Sequence, residues 1–568
     1  MNELTFDLET EGLSPIEDAP VGVGFDWNGS GAEYNQTLGT INYADAEILI
    51  GHNLKFDMQF LRTNGCSWGK NVKLFDTLIA EWMLHPDQGK YDLKWLTKKY
   101  FDITYTTFDE LLNKYKEKGV KKKDTTIQVV PQIEVEKYCK MDVDMTRKLY
   151  DLLKPQIVQS GMWDLFCMEM DFLKVLIEVE LNGVFVSRNS LSELNLKFDE
   201  MMKEQVKFMP EGINISSPQQ LSSYLFEELG LPTEGIKSSN RILKGGEKKL
   251  FYKTDDEALS ILDGKHEVIA HIKEYRNIEK LQGTYSNALI KHIHKDGKIH
   301  TSFNQHGTST GRLSSAKPNL QNIPTLDEIR GVFIPTENNV LLSADYNQAE
   351  LWIIAHLGND KNMTNDLLEG KDIYVEIAKA MFLSEDITED MRSEAKVIVL
   401  GINYGRTKWS LAKELHIEDD EAQRRINAYF RKYPGVSRFI KFSPILAEKQ
   451  GYSSTLLDRR RPYQPMMDKF QSKNQVARRC INTPIQGTCA DFIKLAMIKM
   501  QNSIDLFKLK SKLILQVHDE VVLDVVPEEL ETIKTIVKLS MDVCKDYGIP
   551  IPIEVKIGED WGSLEEVK

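Results

Sequence analysis

The chain has 568 residues, 41% hydrophobic and 28% charged, which excludes a disordered polymer and a single core and predicts three to four domains at about 150 residues each. A net charge of −13 excludes a uniformly basic nucleic-acid coat, although carboxylates gathered around metals make a site acidic while local arginines still hold phosphates. No stretch reaches the ~20 apolar residues of a membrane span, Met1-Asn2-Glu3-Leu4 does not open a secretory signal, and none of the six cysteines forms a C-x-x-C pair; a cytoplasmic protein with reduced thiols is expected.

Leu4-Thr5-Phe6-Asp7-Leu8-Glu9 alternates apolar and polar residues, the period of a half-buried strand. Asp7 and Glu9 then share a face and repel unless a cation neutralises them. Ile48 to Ile50 is an apolar strand that feeds Gly51-His52-Asn53-Leu54-Lys55-Phe56-Asp57. Lys121-Lys122-Lys123 is expected in a solvated loop. Glu134 to Leu153 predicts a helix that Pro155 ends. It places Tyr138 and Asp142 on one face and Asp144 on another, at the surface. The first ~150 residues therefore predict an α/β domain.

From Met162 to Lys291 the pattern is mainly helical, with breaks at Ser216-Ser217-Pro218 and Lys244-Gly245-Gly246. Leu281 to His294 continues as helix, and Thr308 to Pro324 reads as a loop. Val340 to Ala344 predicts a short strand leading into the carboxylate of Asp345. Helices with breaks follow from Glu350 to Gln450. Within them Arg392, Lys396, Leu400 and Tyr404 recur every four residues, a stripe that begins cationic and turns apolar. Such a stripe suits a nucleotide, with triphosphate at one end and base at the other. Leu513 to Val526 predicts a hairpin with His518 and Asp519 at its tip, where turn chemistry alone would favour Gly or Asn.

Three N-terminal segments, FDLET, NLKFD and YCKMD, resemble the Exo I, Exo II and Exo III motifs of the DEDDy 3′→5′ exonucleases. The resemblance implies that Asp7, Glu9, Asp57 and Asp142 hold two metal ions and that Tyr138 orients the attacking water. The segments around Asp345, Arg392 to Gly405, and Asp519 resemble motifs A, B and C of the family A DNA polymerases, the bacterial DNA polymerase I type. Thr310-Gly311-Arg312-Leu313-Ser314-Ser315, Pro318-Asn319-Leu320-Gln321-Asn322-Ile323-Pro324 and Arg478-x-x-x-Asn482-x-x-x-Gln486-Gly487-Thr488 resemble further blocks of that family.

This resemblance implies a multidomain α/β and α+β protein. An RNase H-like 3′→5′ exonuclease domain (1–160) precedes a right hand: thumb and connecting helices (161–300), palm with motif A (301–357), fingers with the motif B helix (358–448) and palm with motif C (449–568). It implies that Asp345, Asp519 and the backbone of Tyr346 bind two Mg²⁺ ions, with Mn²⁺ as a substitute, and that each active site takes two ions. Arg392 and Lys396 would hold the triphosphate, and Lys396 would protonate the pyrophosphate. Gln348, Leu400, Tyr404, Glu350 and His518 would line the nucleotide site, Glu350 and Tyr404 crowding the sugar 2′ position. Arg312, Asn482 and Gln486 would read the minor groove at the primer end, where correct pairs all offer acceptors. Gln321, Asn322 and Arg478 would also contact DNA. Arg459, Arg460 and Arg461 would hold template phosphates, and His518 and Glu520 would support the primer terminus. The implied partners are primer-template DNA, dNTPs and further replication factors, bound by a monomer away from any membrane.

Departures from the family pattern are Leu400, where Phe or Tyr is usual, Trp352 for a usual Arg and Asn347 for a usual Ser. The chain opens almost directly on Exo I without a 5′-nuclease domain, and the helical region before Thr308 is short for a processivity-factor insertion. This compact form resembles a bacteriophage replicative enzyme. A ribonuclease D-like exonuclease would leave Asp345, Lys396 and Asp519 unexplained. Glu350 and the proofreading segments argue against a single-subunit RNA polymerase, and the intact carboxylates argue against an inert DNA-binding scaffold.

Overall fold

A computed structural model of the chain describes residues 2–69, 71–116, 120, 125–242 and 248–567. The Lys121–Lys123 run and the Lys244-Gly245-Gly246 break lie outside the described residues.

The N-terminal body is built on a five-stranded sheet of β1 (Glu3–Thr10), β2 (Pro20–Trp27), β3 (Glu33–Asn35), β4 (Ile48–Gly51) and β5 (Lys73–Asp76), in the order β3-β2-β1-β4-β5. β1, β2 and β3 pair antiparallel, while β4 and β5 join parallel to β1. Parallel neighbours need a crossover, and helix α1 (Leu54–Thr63) makes the one from β4 to β5. Helix α2 (Thr77–Leu84) follows β5 directly. Leu4, Phe6 and Leu8 are buried in the core beneath the sheet, as their alternation predicts.

The predicted helix from Glu134 is longer than expected. It runs as Gln132–Gln159 with Pro155 inside it. A proline deletes only its own N–H bond and crowds one carbonyl, and the fully buried Leu153 and Ile157 on either side keep the last turns docked. The next helix, Trp163–Asn182, buries residues on every side. Leu165, Phe166, Met170, Leu173 and Ile177 belong to the N-terminal core, whereas Phe172, Val175, Leu176 and Val179 belong to the C-terminal one. A helix apolar all round is a buried helix, and this one is shared by both bodies.

The C-terminal body centres on a second five-stranded sheet, fully antiparallel. Its strands lie in the order Lys512–Val517, Glu520–Val525, Val340–Tyr346, Ile553–Gly558 and Glu565–Glu566. The central strand extends two residues past its predicted end, so Asp345 is a strand residue, opposite Glu520. The expected hairpin forms, with His518 at a φ of 55° in its turn. The 35-residue helix Lys473–Phe507 packs against this body and against Trp163–Asn182. Residues 361–450 form six helices, among them Ile373–Phe382 and Glu389–Asn403. Residues between Met209 and Ile272 enclose a small separate core. The helix expected over Leu281–His294 instead widens into a π-turn at Gln282–Ser286 and ends at Ile290. Gly283, Thr284 and Ser286 are weak helix formers, and such a run loosens the ladder.

Two candidate active sites

The first site forms where β1, α1 and the helix Gln132–Gln159 converge. Asp7 and Glu9 project from β1. Asp57 sits in the first turn of α1 and accepts the Leu8 N–H at 2.9 Å. The entry to α1 turns sharply at Asn53, whose φ is 61°, and the Asp76 carboxylate holds that turn by accepting the N–H groups of Asn53 (3.0 Å) and Leu54 (2.8 Å). Asp142 completes the set from the helix. It accepts the Tyr105 hydroxyl at 2.7 Å and pairs with the Lys94 ammonium. That ammonium lies 4.3 Å from the Tyr138 ring centroid and 4.4 Å from that of Tyr105.

All four predicted carboxylates and Tyr138 are therefore brought together. Lys94, Tyr105 and Cys139 join them unpredicted. Burial, then the charge of Asp142, pushes the Asp7 carboxyl up to about 8. Burial, then the charge of Asp7, raises both Glu9 and Asp57. Burial and then Asp142 also raise the Tyr138 phenol. Glu9 Oε1 is buried without a hydrogen-bond partner. The ligand atoms of Asp7, Glu9 and Cys139 lie within 4.8 Å of one another. A buried carboxylate cluster with an orphaned oxygen calls for a cation, and its mostly hard oxygen donors fit a divalent metal. Asp144 is half-buried, bonded toward Ala32, and takes no part.

The second site lies on the C-terminal sheet. Asp345 lies near the end of the central strand, and Asp519 lies in the hairpin turn just before Glu520, which opposes Asp345 in register. Burial, then the charge of Asp519, lifts the Asp345 carboxyl to about 7. Burial also raises Asp519, with Arg312 opposing and Glu350 adding. Two half-compensated carboxylates so placed fit a divalent cation pair. The Tyr346 hydroxyl points away to donate to the Met541 carbonyl at 2.6 Å, so only its backbone is left beside Asp345.

Glu350 accepts the Tyr404 hydroxyl at 2.6 Å and Arg312 Nη2 at 2.8 Å. The first turn of the helix Ala349–Leu357, the C-cap of the helix Glu389–Asn403 and the loop before Leu313 thus meet at one carboxylate. Arg392 pairs with Asp372 at 2.8 Å, and both Arg392 and Lys396 flank the Tyr374 ring at 5.8 and 5.9 Å. Lys396 is exposed and Leu400 half-buried on the same helix. Gln348 is exposed at a φ of 56°, just before the helix that carries Glu350. Asn482 donates to Gln486 at 3.1 Å on the long helix, with Arg478 half-buried one turn earlier. Asn322 and His518 are exposed.

Several expected DNA contacts are corrected. Arg459 and Arg461 are only 4% and 5% exposed. Arg459 binds Asp491 (Nη2 at 2.6 Å) and Glu169, while Arg461 binds Asp87 through two bonds of 2.7 and 2.6 Å. Arg460, between them, is bonded to Asp458 and the Ser160 carbonyl. Arg460 and Arg461 tie the two bodies together, and Arg459, whose Nη1 is buried without a partner, is turned into the interior and away from template phosphates. Gln321 is also buried; its amide donates to Gln516 at 2.8 Å, and Gln516 in turn donates to the His518 carbonyl. It braces the hairpin turn from behind. Glu520 accepts from Ser343 (2.5 Å), Trp561 (2.9 Å) and Arg330 (3.3 Å), so its carboxylate is occupied by the sheet and not offered to a primer.

The comparisons with known proteins fall on the same two halves. The family model described as 3'-5' exonuclease matches residues 1–158, and that described as DNA polymerase family A matches residues 186–563. The chain is 35% identical over 529 residues to the DNA polymerase I of Treponema pallidum (strain Nichols), covering 91% of this chain and 51% of that protein. It is 34% identical over 529 residues to the DNA polymerase I of Borreliella burgdorferi, covering 91% of this chain and 56% of that protein. The chain thus spans about half the length of the curated relatives it matches. Its fold is similar to a solved structure described as the POL domain of Pol1 from M. smegmatis in complex with DNA primer-template and dNTP, with a TM-score of 0.84, 26% identity, and 99% of this chain and 96% of that one covered. With one family model spanning most of its length and another filling the N-terminal body, the chain belongs to DNA polymerase family A and carries a 3'-5' exonuclease domain ahead of its polymerase domain.

Proposed function

We propose that the chain adds deoxynucleotides to a primer 3′ end on a DNA template and removes misincorporated ones at its N-terminal site. The observation that carries this reading is the meeting of Tyr404 and Arg312 on Glu350, beside the Asp345/Asp519 pair. A carboxylate held on two sides at the floor of a nucleotide site would crowd a ribose 2′-hydroxyl. The hand divides as thumb (161–300), palm (301–357 and 449–568) and fingers (358–448), after an exonuclease domain at 1–160.

Each site would hold its cations through its own carboxylates: Asp7, Glu9, Asp57 and Asp142 in one, Asp345, Asp519 and the Tyr346 backbone in the other. Two Mg²⁺ ions, or Mn²⁺ in their place, supply Lewis-acid activation of the attacking and leaving oxygens when bound. The remaining chemistry falls to the chain. Arg392 and Lys396 bind the triphosphate, and Lys396 delivers a proton to the leaving pyrophosphate oxygen. Arg392 must first exchange Asp372 for phosphate. Arg312, Asn482 and Gln486 test the primer-end pair through its minor-groove acceptors. Gln348 and His518 border the nucleotide, while Arg478 and Asn322 face the duplex. At the other site Tyr138 orients the attacking water. Among the described residues no helix is long and apolar enough to cross a membrane.

Primer extension with deoxynucleotides or ribonucleotides, with and without Mg²⁺, tests the reading; extension with ribonucleotides, or without metal, would refute it. Asp7→Ala should abolish degradation of a mismatched primer and leave extension at the parental rate. Loss of both activities would mean one site and not two.

Leu400, on the same helical stripe as Arg392 and Lys396, would meet the incoming base without a ring to stack on it. Base–aromatic stacking is worth about 1–3 kcal/mol. Leu400→Phe should therefore tighten dNTP binding roughly fivefold or more in single-turnover kinetics. An unchanged dNTP affinity would show that the base is held by other groups.

A further inference from the structure

Among the described residues, a hydrogen-bonded route from the exonuclease body toward Arg312 and Glu350 runs along α2. At its N-terminus, Asp76 caps the helix through the Leu78 N–H (2.9 Å) while holding the Asn53 and Leu54 N–H groups at the entry to α1, the helix that carries Asp57. Eight residues span about 12 Å. Near the far end, Trp82 is 1% exposed. A buried indole N–H needs an acceptor, and this one finds it outside its own body: Nε1 donates to the Thr308 carbonyl at 3.1 Å. The Thr308 hydroxyl then donates to the Arg312 carbonyl at 2.8 Å, closing the loop into a turn.

The floor of this turn is made by the same two bodies. Gly311 has a φ of +90°, and a Cβ there would lie 2.6 Å from Arg459 Nε, so the loop backbone rests directly on the Arg459 guanidinium. That guanidinium also lies 5.2 Å from the Trp82 ring centroid. It is fixed from below by Asp491 and Glu169. Above the floor, Arg312 reaches Glu350 at 2.8 Å. The loop has few alternatives in this cradle: one end is pinned by the indole, the middle seated on Arg459, and the other end presents Arg312.

We infer that Trp82, a residue of the exonuclease domain, is a positioning residue for the polymerase reaction: it sets the turn Thr308–Arg312 so that Arg312 meets Glu350 and the primer-end base pair. The inference rests on the reading of Arg312 as a primer-end contact. It gives that residue's selectivity a dependence on the neighbouring domain. A discrimination step that requires Arg312 in register then uses a hydrogen bond supplied by the domain that removes errors.

The test uses the full chain in an Asp7→Ala background, so that mismatched primers survive. Extension from matched and mismatched termini is compared for the parent, Trp82→Phe, Arg312→Ala and the double variant. Phenylalanine keeps a buried ring and deletes only the N–H donor. The expected result for Trp82→Phe is about a fivefold loss of matched-over-mismatched discrimination, the scale of one neutral hydrogen bond, with dNTP affinity unchanged. In the Arg312→Ala background Trp82→Phe should have no further effect on that ratio. Hydrolysis of single-stranded DNA, measured with Asp7 intact, should stay at the parental rate.

If Trp82→Phe changes the ratio equally with and without Arg312, or lowers the melting temperature and leaves the ratio alone, the inference is wrong. If Arg312→Ala itself leaves discrimination unchanged, the reading of Arg312 fails, and the inference fails with it. Should Trp82→Phe not fold, Thr308→Val removes the next hydrogen bond in the route while keeping the Thr308 carbonyl. It is expected to lower the ratio to the same extent, and an unchanged ratio there overturns the inference as well.

Discussion

Asp345→Asn should abolish primer extension, by roughly 10³-fold or more, while hydrolysis of single-stranded DNA continues at the other site. A bound divalent pair is worth several kcal/mol to the transition state, and each 1.36 kcal/mol is tenfold in rate. Asparagine keeps the shape of the side chain and removes the charge that holds the cation. The same change should stabilise the metal-free fold. Burial and the facing Asp519 lift the Asp345 carboxyl from 3.8 to about 7, so the native state keeps its proton longer than the unfolded chain. The cost of the charged form is absent below pH ~4, grows between pH ~4 and ~7, and is complete above that. Thermal melts in EDTA should therefore show the variant more stable than the parent at pH 8, with the gap closing as pH falls to 4. A variant less stable at pH 8 would mean that Asp345 has a stabilising partner in the metal-free fold.

Glu169→Gln is expected to have the largest effect on folding. Glu169 is fully buried on the helix Trp163–Asn182, where it accepts Lys494 (2.6 Å), Gln305 (2.7 Å) and Arg459. Lys494 is buried as deeply. Burial alone would raise the Glu169 carboxyl, but Lys494 and Arg459 together draw it down to about 2. Asp491, which shares Arg459, moves the other way because its burial outweighs the cations. Glu169, with three donors converging on it, is thus the group that receives most of the compensation. Removing one member of a buried pair typically costs about 3–5 kcal/mol, because the remaining charges stay buried. The contribution of Glu169 is fully present above its unfolded value of 4.5 and is lost as pH falls through about 2. Denaturation of Glu169→Gln should show the deficit at pH 7 and a smaller one at pH 3. Equal deficits at both would assign the loss to packing instead of charge.

Much of both sites could be read from local pattern. A period of two put Asp7 beside Glu9, and a period near four put Tyr138 beside Asp142. The apolar run before Asp345 and the odd turn residues at His518 and Asp519 marked the second site. The meeting of Glu350 with Tyr404 and Arg312 joins residues 54 and 38 positions apart. No spacing rule reaches that far; only the resemblance to a family suggested part of it. Where local pattern misled, burial was the missing term. Three consecutive arginines look like a phosphate clamp until their partners are known, and the partner of Arg461 is Asp87, 374 residues away. Lys94 gave no signal because it enters the first site from a separate helix, Leu93–Phe101, with no fixed spacing to any carboxylate. Pro155 reads as a stop in the sequence because the buried neighbours that carry the helix past it are a tertiary fact.

The helix Trp163–Asn182 gives one stripe of its surface to each core. In evolutionary terms, this would make the activity of the N-terminal site easy to silence and its domain hard to discard. Deleting residues 1–160 would strip Leu165, Phe166, Met170, Leu173 and Ile177 of their cover and leave a long apolar stripe in water, together with Arg461 deprived of Asp87. Exchanging a single carboxylate in the first site disturbs neither. Lineages of this fold that abandon error correction are therefore expected to retain the whole N-terminal domain as a scaffold, with its shape intact and its acidic residues drifting.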